Sequence, residues 1–166
     1  MGSSIGPAFN YLLTGTAPNG GTTLAAALVA VDPEAQLFDG WVTDRQCHSQ
    51  FVIGRSGPAN ETSAMAGADA LVTLGASRVD EDYEIPGYIQ TFVGGTDQAE
   101  ARNAALALWD AWIHWLSLDR TLGGALGTMW AEVGHIQIEA TPEENVENGR
   151  FCLMTFSIHC KNKYIP

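Results

Sequence analysis

Positive charge is scarce in this 166-residue chain: Lys and Arg number 8 against 19 Asp and Glu, giving a formal net charge of −11 and a pI near 4.5. A surface of that sign repels a phosphate backbone, which argues against a conventional nucleic-acid binder. Cysteine is also sparse. Cys47, Cys152 and Cys160 are an odd number without C-x-x-C spacing, so reduced, packed thiols are expected rather than a disulfide framework or a redox pair. The longest run of small apolar residues, Leu24 to Val31, is far short of the roughly 20 residues that cross a bilayer, so no transmembrane segment is expected. The start, Met1-Gly2-Ser3-Ser4, has neither a basic stretch nor a long apolar run, and Gly6 stands where a myristoylation signal prefers Ser or Thr. Neither a secretory leader nor a lipid anchor is expected, and folding in a cytoplasm is.

Apolar residues make up 46% of the chain and mean hydropathy is close to zero, as in an ordinary folded domain. A single domain over 1–166 is the expectation, large enough to bury about two thirds of the surface of its unfolded chain. No internal repeat is evident. Ala8 to Leu13 reads as a short helix. A break at Thr16 to Gly21 follows, then a second helix that Thr22 or Thr23 caps and Pro33 stops. Asp39-Gly40 is a turn signal, and Phe51-Val52-Ile53 before Gly54 reads as a short buried strand. Ser, Gly, Pro, Asn and Ala dominate 55–67, the mark of a surface loop.

Ala70 to Leu74 and Tyr83 to Val93 look like strands. In the second, Tyr88, Gln90 and Phe92 alternate with Ile89, Thr91 and Val93, so both faces carry bulk and both are expected to be covered. The clearest element is a helix over 97–118, with Asp97 and Glu100 placing negative charge on its first turn. Ala101, Ala104, Ala105, Leu108, Trp112, Trp115 and Leu116 define one apolar face, which should lie on a sheet. Leu106, Trp109, Ile113 and again Leu116 define a second, leaving Asn103, Asp110, His114 and Ser117 as a narrow polar stripe. A helix this apolar needs more than one sheet to cover it, and a neighbouring subunit is the economical partner. Glycines at 123 and 124 reverse the chain into a closing hairpin. Its strands, about 132–141 and 150–161, flank an acidic loop over 142–149 that carries Glu143, Glu144 and Glu147. The expected fold class is α+β, a mostly antiparallel sheet with the long helix and the N-terminal helix packed on it and a closing β-hairpin.

Sites for chemistry are weak. Cys47-His48 and His159-Cys160 are pairs of zinc-ligand types, but neighbours on a strand point to opposite faces, so each pair offers at most one ligand to a common site. Asp80-Glu81-Asp82-Tyr83-Glu84 could present three carboxylates to a cation, yet the rest of a calcium loop is missing. That run reads as solvated charge that keeps a strand edge from mispairing. Gly123-Gly124-Ala125-Leu126-Gly127 follows a helix rather than a strand, the wrong context for a dinucleotide loop. Ser56 in Gly54-Arg55-Ser56-Gly57 has no base partner evident in the sequence. Trp109, Trp112 and Trp115 at helical spacing read as core or interface rather than as a ligand stripe. No catalytic residue, cofactor or metal is assigned, and no enzymatic activity is expected.

Several short motifs, in their order and spacing, carry a resemblance. They are Val93-Gly94-Gly95-Thr96-Asp97, Ala101-Arg102, Leu118-Asp119 with Leu122-Gly123-Gly124, and the hairpin end Phe156-Ser157-Ile158-His159-Cys160-Lys161. Together they resemble tail terminator proteins of long-tailed, siphovirus-like bacteriophages, particularly those of actinobacterial hosts. The likeness covers roughly the second half. In the first, Phe38-Asp39-Gly40-Trp41 and Phe51-Val52-Ile53-Gly54 agree with the family's short strands in order only. The resemblance implies a homohexameric ring on the last ring of tail-tube protein. Such a ring stops tube polymerisation, meets the head-tail connector or stopper protein, and lets double-stranded DNA pass without sequence-specific binding. It implies a place at the tail-neck junction of the virion, after assembly in the host cytoplasm.

Two features of the residues fit that implication. Surplus apolar helix surface, at Leu106, Trp109, Ile113 and Leu116, suits contacts between subunits of a ring. Excess negative charge suits a channel to which DNA must not stick, with Glu143, Glu144 and Glu147 facing the lumen or the next ring. Two rival readings are another neck or tail ring protein, such as a head-tail joining protein or a tail-tube subunit, and a small cytoplasmic enzyme or ligand-binding domain. Tube subunits would be dominated by β-structure, against which the 97–118 helix argues. An enzyme would need a pocket of convergent polar groups that the sequence does not disclose.

Overall fold

The structure is a computed structural model that describes residues 3–18, 21–40, 42, 48–55, 57, 66–68, 71–72, 79–127, 129–140 and 149–164. Its elements run α1 (Ile5–Thr14), α2 (Leu24–Val31), β1 (Ala35–Asp39), β2 (Ser49–Ile53), β3 (Ala66–Ala68), β4 (Leu71–Val72), β5 (Val79–Val93), α3 (Gln98–Leu118), β6 (Ala131–Ala140) and β7 (Arg150–Tyr164). The sheet is ordered β1-β2-β5-β7-β6, and the short β3 and β4 pair with the first part of β5. Every pairing is antiparallel except β1 with β2. The expected α+β fold is the observed one, with α3 and the N-terminal helices on one face.

Local chemistry sets the helix ends. The Thr23 hydroxyl, at the N-cap of α2, accepts from Ala26 N at 3.2 Å, and Asp97 caps α3 by accepting from Ala99 N at 2.8 Å. Gly40, with φ +68°, ends β1 at the Asp39-Gly40 signal, in a conformation that disfavours a side chain. Ser4 precedes α1 yet makes no side-chain cap bond to it, because its hydroxyl is committed to Glu81 across the fold.

The core lies between α3 and the long strands. Ala101, Ala105, Leu108, Trp112, Trp115 and Leu116 are buried, as are Phe51, Ile85, Ile89, Met154, Phe156 and Ile158 beneath them. Phe156 is the hub, its ring centroid 5.4 Å from Phe51, 5.6 Å from Trp109 and 6.0 Å from Trp112. Such aromatic pairs add about 0.5–1.5 kcal/mol each beyond their area burial. Gly87 makes room for it: a Cβ there would sit 2.5 Å from the Phe156 ring and 2.9 Å from the carbonyl of Val52. Two side-chain bonds fix the long helix. Thr91 Oγ1 donates to Ala101 O at 2.7 Å, and Trp115 Nε1 donates to Thr22 O at 2.8 Å.

The strand β5 begins four residues before the sequence reading starts it, and that changes the meaning of its acidic run. Asp80 to Glu84 lies in the interior of the sheet, paired with β7 on one side and with β3 and β4 on the other, so it does not guard an edge. Alternation exposes Asp82 and Glu84 but turns Glu81 inward, where it is 8% exposed. The run is therefore not wholly solvated, and the reason is tertiary: Ser4 and Asn162, both distant along the chain, satisfy the buried carboxylate. On the face away from the helices, Val52 and Tyr88, partners in register, are buried, whereas Phe92 is exposed, so cover on that face is partial.

Candidate functional site

The expected contact residues divide by depth. Leu116 is buried in the core, 5% exposed, while Leu106, Trp109 and Ile113 are half-buried and pack against it. The polar stripe of Asn103, Asp110, His114 and Ser117 is exposed along its length. The single chain therefore covers α3 on one face and partly on the next. Glu143, Glu144 and Glu147 lie outside the described residues.

The larger uncovered apolar surface is elsewhere. α3 packs over β5 and β7, and α2 over β1. On β6, Ile136 and Ile138 pair in register with Phe156 and Met154, which places them on the helix side of the sheet. They are nevertheless 45% and 48% exposed. At the other end of the helix layer, α2 is Leu-Ala-Ala-Ala-Leu-Val-Ala-Val, without one polar side chain, and its Val29 and Val31 are 46% and 49% exposed. A surface helix normally turns a polar face to water.

Sequence reasoning missed both patches. The composition of α2 was a usable signal, since an all-apolar helix implies cover on every side. The alternation of β6 was not, because period-two patterning marks an inner face without saying whether a helix reaches it. Among the described residues β1 and β6 end the five-strand path of the sheet, and the short β3 and β4 border the first part of β5. The register of β6 slips between Val133 and Ile136, where His135 N donates to Ser157 Oγ at 3.1 Å. A Cβ on Gly134 would meet that same oxygen at 2.5 Å. This bulge disrupts the edge at one end only.

The depressions near this surface are shallow. One of about 220 Å³ lies between the end of α3 and the start of β6, lined by Ile113, Leu116, Ser117, Arg120, Ala131, Glu132 and Val133. Another, of about 330 Å³, lies between α1 and the glycine turn. The turn offers no free donors to an anion, for every amide from Thr121 to Gly127 is bonded within the turn or to Asp119. Burial raises the pKa of Asp119, but bonds from Thr121, Gly123 and Tyr11 outweigh it and hold the carboxyl below its ordinary range. Tyr11, partly buried and donating to that carboxylate, is pushed up to about 12.

Glu81 sits at the far end of the sheet. Its Oε2 accepts from Ser4 N at 2.9 Å, Ser4 Oγ at 2.7 Å and Asn162 Nδ2 at 3.1 Å. Burial raises its pKa, and these bonds reverse the shift to a net lowering. Asp82 and Glu132 both approach His159, Asp82 at Nε2 and Glu132 at Nδ1, the latter at 3.6 Å. They bracket the ring from opposite sides rather than converge. Among the described residues no group of three or more His, Cys, Asp and Glu could hold a metal ion.

His159 is partly exposed and its neighbour Cys160 is in the core, the opposite-face arrangement that strand geometry requires. Burial pushes the Cys160 thiol up to about 12 and raises that of Cys152, which suits packing rather than nucleophilic work. Among the described residues no helix is long and apolar enough to cross a membrane. No family model and no curated protein matches the chain.

Proposed function

We propose that this chain is a structural virion protein without enzymatic activity, the tail terminator of a long-tailed bacteriophage. Six copies of it form a ring that caps the tail tube, halts its polymerisation and joins it to the head connector. The observation that carries the reading is apolar surface that one chain leaves uncovered, Ile136 and Ile138 of β6 exposed and Leu106, Trp109 and Ile113 of α3 only half-buried. A chain with net charge −11 keeps an apolar strand edge exposed at a cost in solubility, unless another chain covers it.

Two of the motifs behind the resemblance occupy joints of the fold and two lie within elements, Ala101-Arg102 in α3 among them. Val93 to Asp97 links β5 to the cap of α3, Leu118 to Gly124 forms the turn after it, and Phe156 to Lys161 lies in β7. Net negative charge supports passage of DNA through the ring without adhesion. Glu143, Glu144 and Glu147 are assigned to the lumen or the next ring on charge alone; a map of the ring with their loop on the outer wall rejects that part.

The test is the mass of the purified protein in solution, together with images of it mixed with tail tubes. Closed rings of six copies seated at tube ends are expected. A monomer that never joins a tube end overturns the proposal.

A further inference from the structure

The two uncovered patches sit at opposite edges of the molecule and differ in kind. At the β6 edge a strand lacks its helix, and at the β1 edge a helix, α2, has an apolar outer side that lacks a neighbour. We infer that copies join edge to edge, β1 of one pairing with residues 136–140 of β6 in the next, so that the incoming α2 completes the helix layer over Ile136 and Ile138. The inference rests on the reading of this protein as a ring of identical copies, but does not need the tail-end role.

Four features of the fold fit this occupant. Strand direction is the first. β2 and β7 both run opposite to β5, β1 runs with β2, and β6 runs opposite to β7. β1 and β6 therefore run in opposite directions, and a sheet continued by rotation about an axis along the strands brings them together antiparallel, the more stable pairing. Length is the second: β1 spans Ala35–Asp39, and the stretch of β6 beyond the bulge, 136–140, is equally long.

The third is side-chain parity. With Leu37 opposite Ile138, Ala35 meets Ala140 and Asp39 meets Ile136 on the helix side. Gln36 then meets Glu139 and Phe38 meets Gln137 on the other. No like charges face each other across the joint. The fourth is weak edge protection, since 136–140 contains no Pro, no Lys and no bulge, and its one charge, Glu139, lies on the face away from the helices. A two-fold contact of β6 with β6 would instead widen the gap in the helix layer and leave Val29 and Val31 bare. Joining two different edges is a heterologous contact, the kind that closes into a ring or runs on as a filament.

The test is disulfide trapping with Gln36→Cys and Glu139→Cys, both at exposed positions, in a Cys47→Ser background under mild oxidation. The remaining native thiols, Cys152 and Cys160, are buried. The double variant is expected to give a ladder of linked chains ending at the mass of the native assembly, and each single variant none. A native-mass assembly without linkage in the double variant, or with linkage in either single variant, overturns the edge-to-edge contact and leaves the ring standing. A monomeric mass for the unmodified protein overturns both. Amide exchange on the unmodified assembly is an independent measure: slow exchange across 36–39 and 136–140 is expected, and fast exchange across 136–140 overturns the contact.

Discussion

Ile138→Asp separates assembly from folding more cleanly than any change on α3. Full burial of an isoleucine side chain is worth about 1.5–3 kcal/mol. At 48% exposure, Ile138 has gained roughly half of this within its own chain, about 1 kcal/mol, and has a similar amount left to gain from a partner. The aspartate forfeits that remainder and brings a carboxylate into an apolar contact, at a further cost of several kcal/mol. Each subunit contact should therefore weaken by about 3 kcal/mol or more, at least ~100-fold in its dissociation constant.

The isolated subunit, by contrast, should lose about 1 kcal/mol, which for a domain of this size lowers Tm by roughly 2–4 °C. Sedimentation velocity reads the first effect and thermal unfolding the second. Assembly unchanged at matched concentration would refute the reasoning, because a buried carboxylate could not be silent there. Trp109→Glu addresses the same face less selectively, since the Trp109 ring packs 5.6 Å from Phe156 and its loss reaches the core.

Glu81→Gln keeps the shape of the Ser4 and Asn162 clasp but removes its charge, and should cost about 1–2 kcal/mol at neutral pH in a denaturant titration. The native pKa of Glu81 lies below its ordinary value of 4.5, so its contribution is fully present above that value and is lost as pH falls through the depressed one. The gap between wild type and variant should therefore narrow as the pH is lowered below about 4.5; a gap that widened would reverse the sign of the argument. Gly87→Ala drives a methyl against the Phe156 ring and the Val52 carbonyl, and should destabilise by about 1–3 kcal/mol in the same titration.

Sequence by itself determined the elements whose causes are local. The cap at Thr23, the turn at Gly40, the α3 periodicity and the alternation in β7 each depend on neighbours within a few residues, and each is found where the pattern puts it. Tertiary structure decided the rest, because depth is a property of what lies on top of a residue. It placed Leu116 inside and left Leu106, Trp109 and Ile113 half out. It also drew the acidic run into the middle of the sheet, where Glu81 is buried against Ser4, 77 positions away. The free edge of β6 arose in the same way. Ile136 and Ile138 alternate like core residues, and only the span of α3, which covers β5 and β7 but meets β6 at its start alone, leaves them facing water. A periodic pattern states which side of a strand is apolar; the reach of a helix packed from elsewhere in the chain determines whether that side is covered.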